Sequence, residues 1–349
     1  MMKQWIKEIA RGRRGSKDLN YEEAVEAIQT IAKGNATDAQ LGSFLTANRM
    51  KEETPEELRA FAEVFSSYTE KLNLTDALKQ QVVDFASPYN GRHSFFATIP
   101  VSILLAERGV PAFLHSSKSL PPKYGTSLKE VLSGLGITTE GTNEELSQSL
   151  QEKRLAYAWT DQYCKPLAQI RQVREEIGVR TFFNTIEKLL NISGAKTIMF
   201  GAFHRTAINK ILPMLSQLSF SKAFIVQGIE GSEDLPVHRN SFIFQVSNGV
   251  SNSFIVSPKD YGLEQSEESF SKKITLQQQI DWIQRILQSE NSTDIEYGRA
   301  QVIWNAGVRY YLLGLEPSIE AGIAYAEEQL QSGRGAFQLK KWQEKTVMI

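Results

Sequence analysis

The sequence predicts an α/β protein in which a small helical N-terminal domain, completed by insertion helices, accompanies a larger α/β domain with a mostly parallel central sheet. Three observations predict it. The first ~75 residues repeat apolar side chains at helical spacing behind residues that cap helices. From residue ~80 onward, short apolar runs alternate with amphipathic stretches, the pattern of a parallel sheet covered by helices. Between the third and fourth of those runs lies a helical insertion that can return to the N-terminal helices. The expected partition is 1–76 and 165–193 for the helical domain, and 77–164 and 194–349 for the α/β domain.

Taken in order, Asn20 precedes "YEEAVEAIQTIAKG", with Glu23 three residues on, Ala24, Ala27, Ile28 and Ile31 on one face, and Gly34 as a stop. Thr37 with Gln40 forms a capping-box pattern ahead of Leu41, Phe44 and Leu45. Thr54, followed by Pro55 and by Glu57 at the third helical position, starts another helix. The runs "QQVVDFA", "PAFLHSS", "RLAYAWT", "KTIMFGAF" and "KAFIVQGI" are short and rich in Val, Ile, Phe and Tyr, as strands are. "CKPLAQIRQVREEIGVRTFFNTIEKLLNIS" is the insertion, "SFIFQVSNGVSNSFIVSP" reads as an antiparallel hairpin around Asn248 and Gly249, and the segment after Asp294 is helical again.

Composition bounds the function classes. Of 349 residues 41% are hydrophobic and 23% charged, with a formal net charge of -1, so the overall balance demands neither nucleic acid nor membrane. The single cysteine, Cys164, excludes an internal disulfide framework and a cysteine zinc site. No apolar run approaches the ~20 residues of a membrane helix, and "MMKQWIKEIARGRRG" interrupts its apolar residues with charges. A cytoplasmic protein without membrane partners is expected.

In a sheet of this kind ligands sit at the carboxyl ends of the strands. That directs attention to the loops "ASPYNGRH", "HSSKSLPPKYGTS", "TDQYCK", "GAFHRT" and "GIEGSEDL". The second offers His115, Ser117, Lys118, Lys123, Gly125, Thr126 and Ser127, cations and hydroxyls beside a helix start, which suit a phosphate or carboxylate. The competing expectation is a solvated loop in which Thr126 caps the next helix. Glu230, Glu233 and Asp234 in the last loop are oxygen ligands of the kind Mg²⁺ takes, or else an acidic solvent loop. Arg174, with Arg171 and Arg180 on the insertion, can reach a carboxylate across a cleft or remain an exposed helix charge. His93 and His204 fall on strand-end loops. Walker A, dinucleotide and nucleophile-elbow patterns do not occur.

Together, "KDLNYEEAVEAIQTIAKGNATDAQLGSFLTANRMKEETPEEL", "LHSSKSLPPKYGTSLKEVLSGLGI", "IRQVREEIGVRTFFNTIEKLLN", "GIEGSEDL" and "NAGVRYYLLGLEPSIEAGIAYAEEQLQSGRG" resemble the anthranilate phosphoribosyltransferase family, glycosyl transferase family 3. The resemblance runs in order over nearly the whole chain. It implies a helical domain hinged to an α/β domain, commonly a homodimer, and transfer of ribose 5-phosphate from phosphoribosyl pyrophosphate with Mg²⁺. Position by position, it implies donor contacts for His115, Lys118, Lys123 and Gly125, an acceptor contact for Arg174, and metal contacts for Glu233 and Asp234, whose order is reversed; Asn90, Gly91, Ser117, Thr126 and Ser127 are expected beside the donor and Tyr163 beside the acceptor. The family's Gly-Thr-Gly-Gly-Asp donor loop is replaced here by Ser87, Pro88, Tyr89, Asn90 and Gly91, and Arg92 and His93 are expected to stand in for its amides as anion ligands. "SPYNGR", "GAFHR" and "GIEGS" are similar to a divergent branch associated with nucleic-acid binding and with absence of the anthranilate reaction. The expected function is thus (phospho)ribosyl transfer to an acceptor the residues do not name. The alternative is a non-catalytic protein binding single-stranded nucleic acid, with "RGRRGSK", Arg92, His93, Lys118 and Lys123 as a basic track.

Overall fold

The computed structural model describes residues 2–12, 14–86, 89–247, 249–270 and 273–345. Five helices come first: α1 (Met2–Ile9), α2 (Tyr21–Ala32), α3 (Asp38–Lys51), α4 (Pro55–Ser67) and α5 (Asp76–Gln81). The three expected starts are capping boxes in space. The side chains of Asn20, Thr37 and Thr54 accept from the third-residue amide while Glu23, Gln40 and Glu57 reach back to the cap N–H. Each box satisfies two orphan donors of its helix end. Sequence reasoning gave no helix at α1, whose buried Met2, Trp5 and Ile9 lie on one face against α3. Its charges at Lys3, Lys7 and Glu8 are the opposite face of an amphipathic helix.

Next come β1 (Val83–Ala86), α6 (Thr98–Glu107), β2 (Ala112–Ser116), α7 (Leu128–Gly134), α8 (Asn143–Lys153) and β3 (Leu155–Trp159). The short α9 (Thr160–Tyr163), α10 (Lys165–Glu176) and α11 (Phe183–Ile186) follow, then β4 (Thr197–Ala202), α12 (Arg205–Leu215) and β5 (Lys222–Gln227). The hairpin strands β6 (Ser241–Ser247) and β7 (Val250–Val256) precede α13 (Glu267–Phe270), α14 (Leu276–Leu287), α15 (Glu296–Leu312), α16 (Ile319–Gln331) and α17 (Arg334–Gln343). The sheet has seven strands in the order β3-β2-β1-β4-β5-β6-β7. The first five in that order run parallel, and β6 and β7 are antiparallel additions at one edge. Gln80 and Gln81, expected in the first strand, close α5 instead. Of the expected hairpin turn, Gly249 is at φ 77 and Asn248 lies outside the described residues.

Strands buried on both faces read as continuous apolar runs, but their period of two still sorts them between layers. Ile198, Phe200, Ala223 and Ile225 join one core with α2, α4 and α12, whereas Met199, Phe224, Val83 and Phe85 join the other with α6, α14 and α15. The insertion is two helices. α10 packs on α2 and α3, and α11 packs on α4. Arg180, between α10 and α11, reaches the loops that follow β1, β2, β4 and β5.

Candidate functional site

Two strand-end loops close on each other. Asn90 accepts from the Gly125 amide at 3.2 Å and from the Ser119 hydroxyl at 3.1 Å, and Arg92 and Thr126 exchange both backbone bonds at 2.8 and 2.9 Å. Such an approach needs two residues without side chains. A Cβ on Gly91, which sits at φ +71, would lie 2.2 Å from the Gly125 carbonyl, and one on Gly125 would lie 2.5 Å from the Arg92 nitrogen. These are backbone atoms that cannot yield. Farther along, the Phe96 amide donates to Gln279 and the Thr98 amide to Asp234. The amides of Arg92, Phe96 and Thr98 are thus spent within the protein, while Ser87 and Pro88 of the replaced donor loop lie outside the described residues.

Arg92 is wholly buried. It donates Nη1 to Asp234 Oδ2 at 2.6 Å and Nη2 to the Phe95 carbonyl, and lies 4.6 Å over the Phe96 ring. Asp234 Oδ1 takes Arg309 at 3.1 Å and the Thr98 hydroxyl at 2.7 Å, and Glu233 takes the same hydroxyl. Burial alone would raise the Asp234 pKa, but the charges of Arg92 and Arg309 hold it below the ordinary aspartate range. Two expectations change here: Arg92 points at a carboxylate in place of an external anion, and Asp234 faces two guanidinium groups. Glu233 keeps one unpartnered oxygen, Oε2. A divalent cation, though, prefers near-octahedral oxygens free of competing cations. Asp234 is thereby taken, so Glu233 Oε2 is the oxygen of the pair left for an Mg²⁺ that would draw its other ligands from substrate; among the described residues no cluster of three His, Cys, Asp or Glu side chains could hold a metal by itself.

The other expected contacts are likewise turned inward. His115 is buried between Asp84, 2.8 Å from Nε2, and the Tyr89 hydroxyl, 2.5 Å from Nδ1. Arg174 is buried in a forked pair with Glu187 at 2.6 and 3.3 Å, neither crossing a cleft nor exposed on its helix. Tyr163 is buried with its hydroxyl on the Gly141 carbonyl at 3.0 Å. Ser117 Oγ donates to the next carbonyl. Ser127, not Thr126, caps α7, because Thr126 spends its backbone on Arg92. The basic N-terminal track is partly neutralised, since Arg11 and Lys17 both lie on Glu8, while Arg13 lies outside the described residues.

Around this knot opens a cavity of about 670 Å³. It is lined by Asn90, His93, Ser94 and Lys123 from the first two loops, Phe203 and His204 after β4, and Ile229, Glu230, His238 and Arg239 after β5. Arg180 enters from the insertion, and Glu267 and Lys273 from the segment before α14. Four permanent cations and three histidines face two carboxylates. The wall favours an anion, although the whole chain is nearly neutral. Lys118 does not line it, lying instead in a separate groove with Tyr124 and Lys129. Sequence reasoning missed Arg239, Lys273 and Arg309. The first two sit in segments with no motif. Arg309 carried a signal, one arginine inside the apolar "NAGVRYYLL", which demands a buried carboxylate partner.

The glycosyl transferase α/β-domain model matches residues 80–336, and the helical-bundle model matches residues 3–68. An anthranilate phosphoribosyltransferase of Methanocorpusculum labreanum is 29% identical over 334 residues, covering 95% of this chain and 94% of its own. One of Persephonella marina is 25% identical over 348 residues, covering 99% and 98%. Among solved structures, the anthranilate phosphoribosyltransferase of Thermus thermophilus superposes with a TM-score of 0.81 at 22% identity, covering 98% of each chain. That of Saccharomyces cerevisiae, solved in complex with PRPP and Mg, reaches 0.84 at 15% identity and covers 98% and 96%.

Proposed function

From the premise that the chain belongs to the glycosyl transferase family whose α/β domain matches residues 80–336, we propose that it binds a phosphoribosyl compound in the cation-lined cavity and transfers the (phospho)ribosyl group to an acceptor there. One observation carries the reading: Lys123, Arg180, Arg239 and Lys273 converge on the carboxyl ends of the strands, where such folds hold ligands. A transfer with an oxocarbenium-like transition state asks mainly for positioning and charge stabilisation, which fixed cations supply. The half-exposed Phe203 ring beside Ile229 gives an acceptor ring an apolar surface. Because Arg174 and Tyr163 are sealed, the acceptor is proposed to differ from anthranilate. Calorimetry with phosphoribosyl pyrophosphate, with and without Mg²⁺, tests it. Binding is expected, weakened at least tenfold in the Arg180→Ala, Lys273→Ala double variant, with pyrophosphate released on adding acceptor; no binding at millimolar donor overturns it.

A second reading, single-stranded nucleic acid on the same face, is favoured by one observation. Tyr124, 60% exposed at φ 49, lines a groove of about 650 Å³ together with Lys118 and Lys129, a ring on which a base can stack. Titration with a short oligonucleotide at two salt concentrations decides it, and negligible affinity at physiological salt removes it.

A further inference from the structure

The backbone N–H groups of His93 and Ser94 and the ammonium of Lys123 converge on one point of the cavity wall. Glu230 occupies that point. Its Oε1 accepts from the Ser94 amide at 2.7 Å and the His93 amide at 3.0 Å, while Oε2 lies 3.3 Å from the His93 amide and takes Lys123. Successive amides backed by a cation are the donor set of an oxyanion seat. To reach it, Glu230 adopts φ 54 and ψ 22, a left-handed conformation that a residue with a Cβ keeps only where its surroundings enforce it. Burial by itself would raise its pKa. The Lys123 hydrogen bond, the Arg92 charge and a hydrogen bond from Ser94 bring it down to about 2, so the carboxylate stays ionised at neutral pH.

We propose that Glu230 is an internal ligand: its carboxylate holds the oxyanion seat of the cavity, and a polyanion of the phosphate or diphosphate class enters by displacing it. The ligand class rests on the reading above; the occupancy by Glu230 is read from this chain alone. The tether gives Glu230 a high effective concentration at the seat, so a free carboxylate gains nothing by replacing it. A diphosphate brings more charge to the same three donors and to Arg180, Arg239 and Lys273. Glu230 therefore acts as a selectivity filter for charge, admitting polyanions and turning away monocarboxylates.

The test titrates inorganic pyrophosphate and acetate into the full chain and into Glu230→Gln, which keeps size and shape but removes the charge. Pyrophosphate is expected to bind the variant at least tenfold more tightly, acetate to bind the variant alone, and the added Lys123→Gln change to abolish both gains. In the unaltered protein, hydrogen exchange supplies a readout independent of how the variant folds. Saturating pyrophosphate should leave amides 93 and 94 protected while residues 229–231 exchange faster. A variant that binds pyrophosphate no more tightly, or an exchange pattern at 229–231 unmoved by bound pyrophosphate, overturns the internal ligand while leaving the transferase reading standing. Absence of pyrophosphate binding in both proteins overturns the internal ligand too. Failure of phosphoribosyl pyrophosphate to bind the unaltered chain is the separate measurement that removes the transferase reading.

Discussion

Arg92 and Arg174 show what one side chain can and cannot announce. Each is an arginine in a loop or helix where the family resemblance puts ligand contacts, and each spends its charge on a buried carboxylate, Asp234 and Glu187. The residue type signals planar, bidentate recognition. Nothing local tells whether the partner is a ligand or an aspartate 142 positions away. The consequence is measurable. Arg92→Ala should lower unfolding stability by roughly 3–5 kcal/mol in denaturant melts, because it strands one of the two charges compensating Asp234. A loss below ~1 kcal/mol would show that the pair is not buried as described.

Lys188 yields a second residue-scale prediction. It is buried, with Nζ donating to the carbonyls of Gly201 at 2.9 Å and Gly231 at 2.8 Å. Burial first, then Arg180 and Arg92 against the opposing pull of Glu233, brings its pKa down to about 7. An unfolded lysine keeps its proton to ~10.4, so the unfolded chain binds more protons between the two values. Stability from this group is full above the unfolded value and is lost as pH falls toward about 7. Thermal melts between pH 7 and 9.5 should therefore rise with pH, and Lys188→Met should flatten that rise.

At the scale of elements, local chemistry was the most legible. Asn20, Thr37 and Thr54 cap where their spacing to Glu23, Gln40 and Glu57 says they should, since a capping box is decided within four residues. All five expected parallel strands form, trimmed at the first by a helix end. The closure of two loops was not legible, because Gly91 and Gly125 matter to each other only once β1 and β2 lie side by side. Gly125→Ala should cost roughly 1–3 kcal/mol by overpacking against the Arg92 backbone. Faster hydrogen exchange at the Arg92 and Thr126 amides would accompany it, and unchanged exchange would contradict the bridge.

For the whole molecule, the order of layers followed from the alternation of runs and helices, and the cavity followed from the strand-end rule. Its charge did not follow from composition. A net charge of -1 averages Glu8, Asp76 and the distant acidic surfaces with a concave wall bearing Lys123, Arg180, Arg239 and Lys273. Local potential, not the sum, governs what such a wall attracts. Pyrophosphate affinity should accordingly fall at least tenfold between about 50 and 300 mM salt, and less steeply when Arg180 and Lys273 are both alanine. Among the described residues no helix is long and apolar enough to cross a membrane.

The Arg92–Asp234 pair joins the turn that follows β1 to the one that follows β5, across the intervening β4. Clasped in this way, the two turns form a single stiff buttress. An incoming ligand meets a wall already arranged, so little ordering of the backbone is left to oppose its arrival. Opening falls instead to Glu230 with the single turn at 229–231 that carries it, and to the rim carrying Arg180 and Lys273. Association is then expected to keep pace with side-chain rotation rather than to wait on slower loop closure.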